Sequence, residues 1–188
     1  TQAKALNKEE FLAQTGLTDP SKPLFLVETK FTERKGLELI IDSADELAKM
    51  NANFAFFGYG DSHICSKFKE ISKTYDNMYT FIGLSDMMVH LAYGAADFVI
   101  RPSLYEPAGN SHMKGMRYGA LPVVSKTGGH IDSVIDVSES HGYGFFMEEF
   151  SRQELLKQIH RAVDFFADKT ILDKCVNRVM QLDFSWET

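Results

Sequence analysis

Two textures alternate along the chain. Short, continuously apolar runs lie at Leu24–Thr29, Asn53–Gly58, Met78–Gly83, Asp97–Pro102, Leu121–Ser125 and Gly144–Met147. They predict strands buried on both faces, which do not alternate apolar with polar. Helical spacing fills the intervals: Gly36–Met50, Ser62–Tyr75, Ser85–Ala96, Ser111–Gly119 and a short stretch after Gly128-Gly129. In the first of these, Leu37, Ile40, Ile41, Ala44, Leu47 and Ala48 trace one apolar stripe. Asn7 as N-cap, Glu10 three residues on and Gly16 beyond the end predict a short N-terminal helix. Ser151 with Glu154 forms a capping box for a helix to about Ala167, and another helix runs from about Ile171 to Leu182.

Strand–helix alternation of this kind implies right-handed crossovers and an open parallel sheet with helices on both faces. The expected fold class is α/β, doubly wound. The 188 residues suit one domain, here 1–188. The chain starts without Met and stops after Phe184-Ser185-Trp186-Glu187-Thr188, which reads as a domain taken from a longer protein.

Charge narrows the partners. Twenty Lys and Arg against 26 Asp and Glu give a formal net charge of -6, which argues against a nucleic-acid binder. No apolar run approaches the roughly 18 residues of a membrane span, and the start does not read as a signal peptide. Cys65 and Cys175 form no C-x-x-C, so a reducing, cytoplasmic compartment is the simplest expectation and no zinc site is suggested. The six histidines are scattered and no Asp-rich cluster occurs, so neither a metal nor another cofactor is expected.

A sheet of this class binds ligands at the carboxyl ends of its strands, and the loops there carry the chemistry. After the first strand come Thr29-Lys30-Phe31-Thr32-Glu33-Arg34-Lys35-Gly36. This is either a solvated surface loop or a pair of lysines, Lys30 and Lys35, aimed at an anion. Gly58-Tyr59-Gly60-Asp61 resembles the start of a dinucleotide fingerprint but has His63 where a third glycine would fall. It is equally readable as a flexible turn capped by Asp61 or Ser62. After the fourth strand, Glu106 precedes Pro107, Gly109 and the start of a helix near Asn110 or Ser111. Free amides at that helix start suit a diphosphate, and a carboxylate suits sugar hydroxyls. Lys126-Thr127-Gly128-Gly129-His130 offers paired glycines for close backbone approach, or simply a tight turn.

Three stretches in order then carry a resemblance. They are Glu106-Pro107-Ala108-Gly109, Met116-Arg117-Tyr118-Gly119-Ala120-Leu121-Pro122-Val123-Val124, and Thr127-Gly128-Gly129-His130-Ile131-Asp132-Ser133-Val134. Together they resemble the donor-binding half of bacterial glycogen synthases and plant starch synthases. Thr32–Gly36 fits that family's phosphate-binding loop, and Asp183-Phe184-Ser185-Trp186 fits the segment where its C-terminal helix crosses to the other domain. The resemblance runs from about residue 4 to the end.

It implies a Rossmann-like C-terminal half of a two-domain glycosyltransferase. Such an enzyme moves glucose from ADP-glucose or UDP-glucose to the non-reducing end of an α-1,4-glucan, with retention, the acceptor being held by the N-terminal domain. Lys30 and Lys35 would neutralise the diphosphate. Gly109, Asn110, Ser111 and His112 would surround the phosphates and glucose, with Glu106 on the glucose hydroxyls. Gly58, Gly60, Gly83, Leu84, Thr127 and Gly128 complete the implied site. Leu84 stands where the family carries a base-stacking Tyr, Lys30 where it carries Arg, and His112 where it carries Gln. In broader relatives with two glutamates eight apart, the second falls here at Lys114. Two alternatives stay open: another retaining two-domain enzyme using a UDP-sugar, or a non-catalytic nucleotide-binding module.

Overall fold

The computed structural model describes residues 2–185, so Trp186, part of the resemblance, lies outside the described residues. Six strands form one all-parallel sheet in the order β3-β2-β1-β4-β5-β6. They are β1 (Leu24–Phe31), β2 (Asn53–Gly60), β3 (Met78–Ile82), β4 (Phe98–Arg101), β5 (Leu121–Ser125) and β6 (Phe145–Met147). The strand order reverses between β1 and β4, so the chain leaves these two neighbours in opposite directions and opens a crevice above their carboxyl ends.

Nine helices cover the sheet among the described residues: α1 (Gln2–Thr15), α2 (Leu37–Ile41), α3 (Ala44–Ala48), α4 (Ser62–Thr74), α5 (Asp86–Ala95), α6 (Ser111–Arg117), α7 (Gly129–Ser133), α8 (Arg152–Ala167) and α9 (Lys169–Gln181). Alternation along the strands divides the core in two. Phe25, Phe54 and Phe98 face one side, with Phe25 stacked on Phe54 at 5.3 Å and on Phe98 at 4.8 Å. Leu24, Leu26, Ala55, Phe57 and Val99 face the other and pack against Phe11 of α1 and Ala92 and Tyr93 of α5.

Helix α1 is fastened by its lysines. Lys4 Nζ donates to the carbonyls of Ala96 and Tyr118, and Lys8 pairs with Asp97 at 2.7 Å. Asn7 therefore lies inside α1 rather than capping it, because the Lys4 contacts hold a further turn of helix ahead of the position the cap pattern suggests. Gly16 ends the helix as expected, at φ 76 with its N–H on Leu12 O. The predicted helix Gly36–Met50 is broken into α2 and α3 at Asp42 and Ser43. Ser43 is fully buried and its hydroxyl donates to Leu39 O at 2.7 Å, a local bond that competes with a continuous helix. The Ser111–Gly119 helix stops at Arg117, and the last helix starts at Lys169, capped by Asp168.

Strands β1 and β2 each run two residues beyond expectation, because Thr29↔Gly58, Lys30↔Tyr59 and Phe31↔Gly60 continue the ladder. Lys30 and Gly60 thus belong to strand ends, not to loops, and Gly58 lies within β2 rather than at its end. The glycines are needed for packing: a Cβ at Gly58 would lie 2.1 Å from Thr29 O.

Candidate active site

The loop after β1 forms a 3-10 turn, Glu33–Lys35, ended by Gly36 at φ 65. The chain passes so close to the loop after β4 that a Cβ at Gly36 would sit 1.9 Å from Pro102 O. Leu104 N–H donates to Arg34 O at 3.0 Å, joining the two loops by backbone. That junction brings Lys35 Nζ onto Glu106 Oε2, a contact spanning the point where the strand order reverses.

Ser103 Oγ donates to the same oxygen at 3.2 Å. Burial tends to raise the Glu106 pKa, but the Lys35 bond and charge, with Ser103, hold it below the usual carboxylate value. Glu106 is therefore an anion at neutral pH.

Behind Glu106 the Thr127-Gly128-Gly129 turn packs backbone to backbone. Gly129 N–H donates to Glu106 O at 3.1 Å, and a Cβ at Gly128 would lie 2.0 Å from that oxygen. A relay continues from the turn. Ser133 donates its hydroxyl proton to Gly129 O at 2.6 Å, which makes His112 Nε2 the donor in its 2.6 Å contact with Ser133 Oγ. His130 Nδ1 donates to Ser125 O at 2.9 Å and its ring meets His112 edge to face at 4.8 Å. Burial pushes His112 down to about 3 and lowers His130 as well, so both are neutral at pH 7.

The sequence-derived residues divide accordingly. Lys35, Glu106, Gly109, Thr127 and Gly128 gather around one point. Lys30 lies at the end of β1, its exposed side chain without a hydrogen bond or ion pair among the described residues. His112 is 1% exposed and its side chain bonds Ser133. Asn110 caps α6 by position without a side-chain bond. Ser111 is half-buried at the first turn of α6. Gly83 ends β3 and Leu84 stands out from the surface.

A second polar group was not singled out from the sequence. Arg101, buried at the end of β4, donates to Glu28 Oε2 at 3.2 Å, and Tyr93 Oη donates to the same oxygen at 2.8 Å. Burial raises the Tyr93 pKa, so the phenol stays protonated. The available signal was an opposite charge at the end of each of two apolar runs that the fold makes neighbours.

A lysine–carboxylate pair over the switch point of a doubly wound sheet defines a ligand-binding α/β domain. The chain matches the family model described as Glycosyl transferases group 1 over residues 8–165, and it belongs to that family. It is 40% identical over 167 residues to a protein named glycogen synthase from Aquifex aeolicus, covering 89% of this chain and 35% of that one. It is 32% identical to a glycogen synthase from Koribacter versatilis, covering 99% of this chain and 39% of the relative. The catalytic domain of starch synthase IV from Arabidopsis thaliana, solved bound to ADP and acarbose, superposes with a TM-score of 0.92 at 29% identity, over 98% of this chain and 40% of that one. Sucrose-phosphate synthase from Thermosynechococcus elongatus shares the fold, with a TM-score of 0.73 at 23% identity over 95% of this chain and 45% of that one. The chain spans about two-fifths or less of the length of the curated relatives it matches.

Proposed function

We propose that residues 1–188 are the donor-binding domain of a glycogen or starch synthase. The enzyme would transfer glucose from ADP-glucose to the non-reducing end of an α-1,4-glucan with retention. One observation carries the reading: Lys35 and Glu106 converge on a single point over the sheet's switch point, in a chain closely similar to glycogen synthases.

The chemistry follows from charge. As the bond from the anomeric carbon to phosphate breaks, negative charge grows on the departing diphosphate. Lys35 and Lys30 stabilise that charge, with backbone amides at Gly109, Asn110 and Ser111, and electrostatic stabilisation of this kind is often the largest catalytic contribution. Glu106 accepts hydrogen bonds from the glucose hydroxyls. The Lys35–Glu106 bond gives way as the donor enters, Lys35 turning to phosphate and Glu106 to sugar. Gly129 holds the Glu106 backbone by its N–H, Gly128 packs against the same carbonyl, and His112 acts behind them through Ser133.

No three His, Cys, Asp or Glu side chains gather into a metal-ion site among the described residues. No helix among them is long and apolar enough to cross a membrane. Two free thiols, Cys65 and Cys175, suit a cytoplasmic setting. The acceptor glucan belongs to the part of the relatives that this chain does not match.

A second reading, a UDP-sugar enzyme, is favoured by Leu84, whose 77% exposed aliphatic side chain offers no ring to a purine. Titrating the chain with ADP-glucose, UDP-glucose and ADP by calorimetry separates the two. Tighter binding of ADP-glucose than UDP-glucose is expected. The reverse order supports the second reading, and no heat with any of the three refutes both.

A further inference from the structure

We propose that Tyr59 is the platform on which the base of the nucleoside diphosphate stacks. This rests on the donor reading above.

Tyr59 is the penultimate residue of β2, in register with Lys30 on β1. Alternation assigns both to one face. Ala55 and Phe57 pack into the core beside α1 and α5, so Tyr59 continues their face beyond the point where that core ends. Leu24 and Leu26 lie in the same core and Glu28 reaches Tyr93 there, which puts Lys30 on that face too. Neighbouring strands are about 4.8 Å apart, so the two side chains leave the sheet as near neighbours.

Both are unengaged. Tyr59 is 43% exposed, and neither its ring nor its hydroxyl has a hydrogen-bond or aromatic partner among the described residues. Lys30 is without an ion pair or hydrogen bond there. Gly83 N–H donates to Gly58 O at 2.9 Å, so the turn that carries Leu84 starts alongside the residue before Tyr59. Of Tyr59 and Leu84, only Tyr59 offers an exposed ring, and it stands on β2 rather than on the β3–α5 turn.

A free aromatic face one strand-spacing from a free ammonium matches a nucleoside diphosphate in shape and charge. The flat base lies on the ring while the phosphates reach Lys30 and, beyond it, Lys35. Stacking on an aromatic tolerates any base, because every base has a π-face. Tyr59 accordingly contributes affinity for the nucleotide without selecting purine over pyrimidine.

The test compares Tyr59→Ala and Tyr59→Phe with the unaltered chain, using ADP, UDP and base-free pyrophosphate as probes in calorimetric titrations. Tyr59→Ala is expected to weaken ADP and UDP about tenfold or more, the scale of one base–aromatic stack. Pyrophosphate affinity should stay the same, and Tyr59→Phe should bind both nucleotides within about twofold of the unaltered chain. Unchanged ADP binding in Tyr59→Ala overturns the proposal. So does an equal loss for ADP and pyrophosphate, which would mark a distorted strand end rather than a lost stack. An unaltered chain that binds neither ADP nor pyrophosphate overturns the donor reading itself, and this inference with it.

Discussion

Lys35 and Glu106 lie 71 positions apart in the chain and share a hydrogen-bonded ion pair across the crevice between the loops that follow β1 and β4. Both side chains are largely buried, at 15% and 8% exposure. Each is the other's main partner, although the proposed chemistry gives them different parts of the donor.

Such a pair is stable only as a pair. Removing one partner leaves a buried charge uncompensated, which costs more than the bond itself is worth. Lys35→Met and Glu106→Gln should each lower unfolding stability. The double variant should be more stable than the sum of the two losses predicts, with a coupling of about 1–3 kcal/mol. Urea unfolding of the four proteins at pH 7 measures this directly, and simple additivity would show that the two groups do not depend on each other.

In the enzyme that carries this domain, Lys35→Ala should lower kcat by about 10²–10³-fold, the cost of one oxyanion-stabilising donor. Glu106→Ala should abolish transfer while ADP affinity is retained, since the carboxylate serves the sugar. Near-normal turnover in the first variant, or a matching loss of ADP affinity in the second, would remove the assigned role.

Acid should weaken the fold through His112 and His130. Burial lowers both, His112 to about 3, with His130 and Arg101 adding to the effect on His112. The unfolded chain takes up these protons near pH 6.5. Below that value the unfolded state binds more protons than the folded one, so stability falls as pH falls, by up to about 1.4 kcal/mol per pH unit for each histidine. Carboxylates with lowered pKa values, Glu106 and Asp136, contribute only nearer pH 4. Urea titrations at pH 7, 6 and 5 should show the slope, and His112→Gln, which keeps a donor to Ser133, should flatten it. A slope that His112→Gln leaves untouched would place the acid sensitivity elsewhere.

Much of this architecture was legible because strands buried on both faces leave continuous apolar runs, and all six were located within two residues. Sequence also placed Lys35 and Glu106 in two loops at the carboxyl ends of strands, and the strand order makes those loops neighbours. It could not reveal that they bond to each other, since that depends on Gly36 passing against Pro102 O. Lys30 and Gly60 read as loop residues because glycine and lysine are poor strand formers, yet pairing between β1 and β2 carries the ladder over them. The Glu28–Arg101–Tyr93 group was hidden for a related reason: a single charge within an apolar run looks incidental until the opposing charge is known to lie on the next strand.

The fastening of α1 bears on where this domain can be cut. The stretch that matches the family model, residues 8–165, starts partway along α1 and stops before α9. A recombinant fragment with those limits would lose the grip of Lys4 on Ala96 and Tyr118, and with α9 the side chains of Leu172, Val176 and Val179 that shield one face of the sheet. The recognisable signature is thus narrower than the packing that covers the sheet.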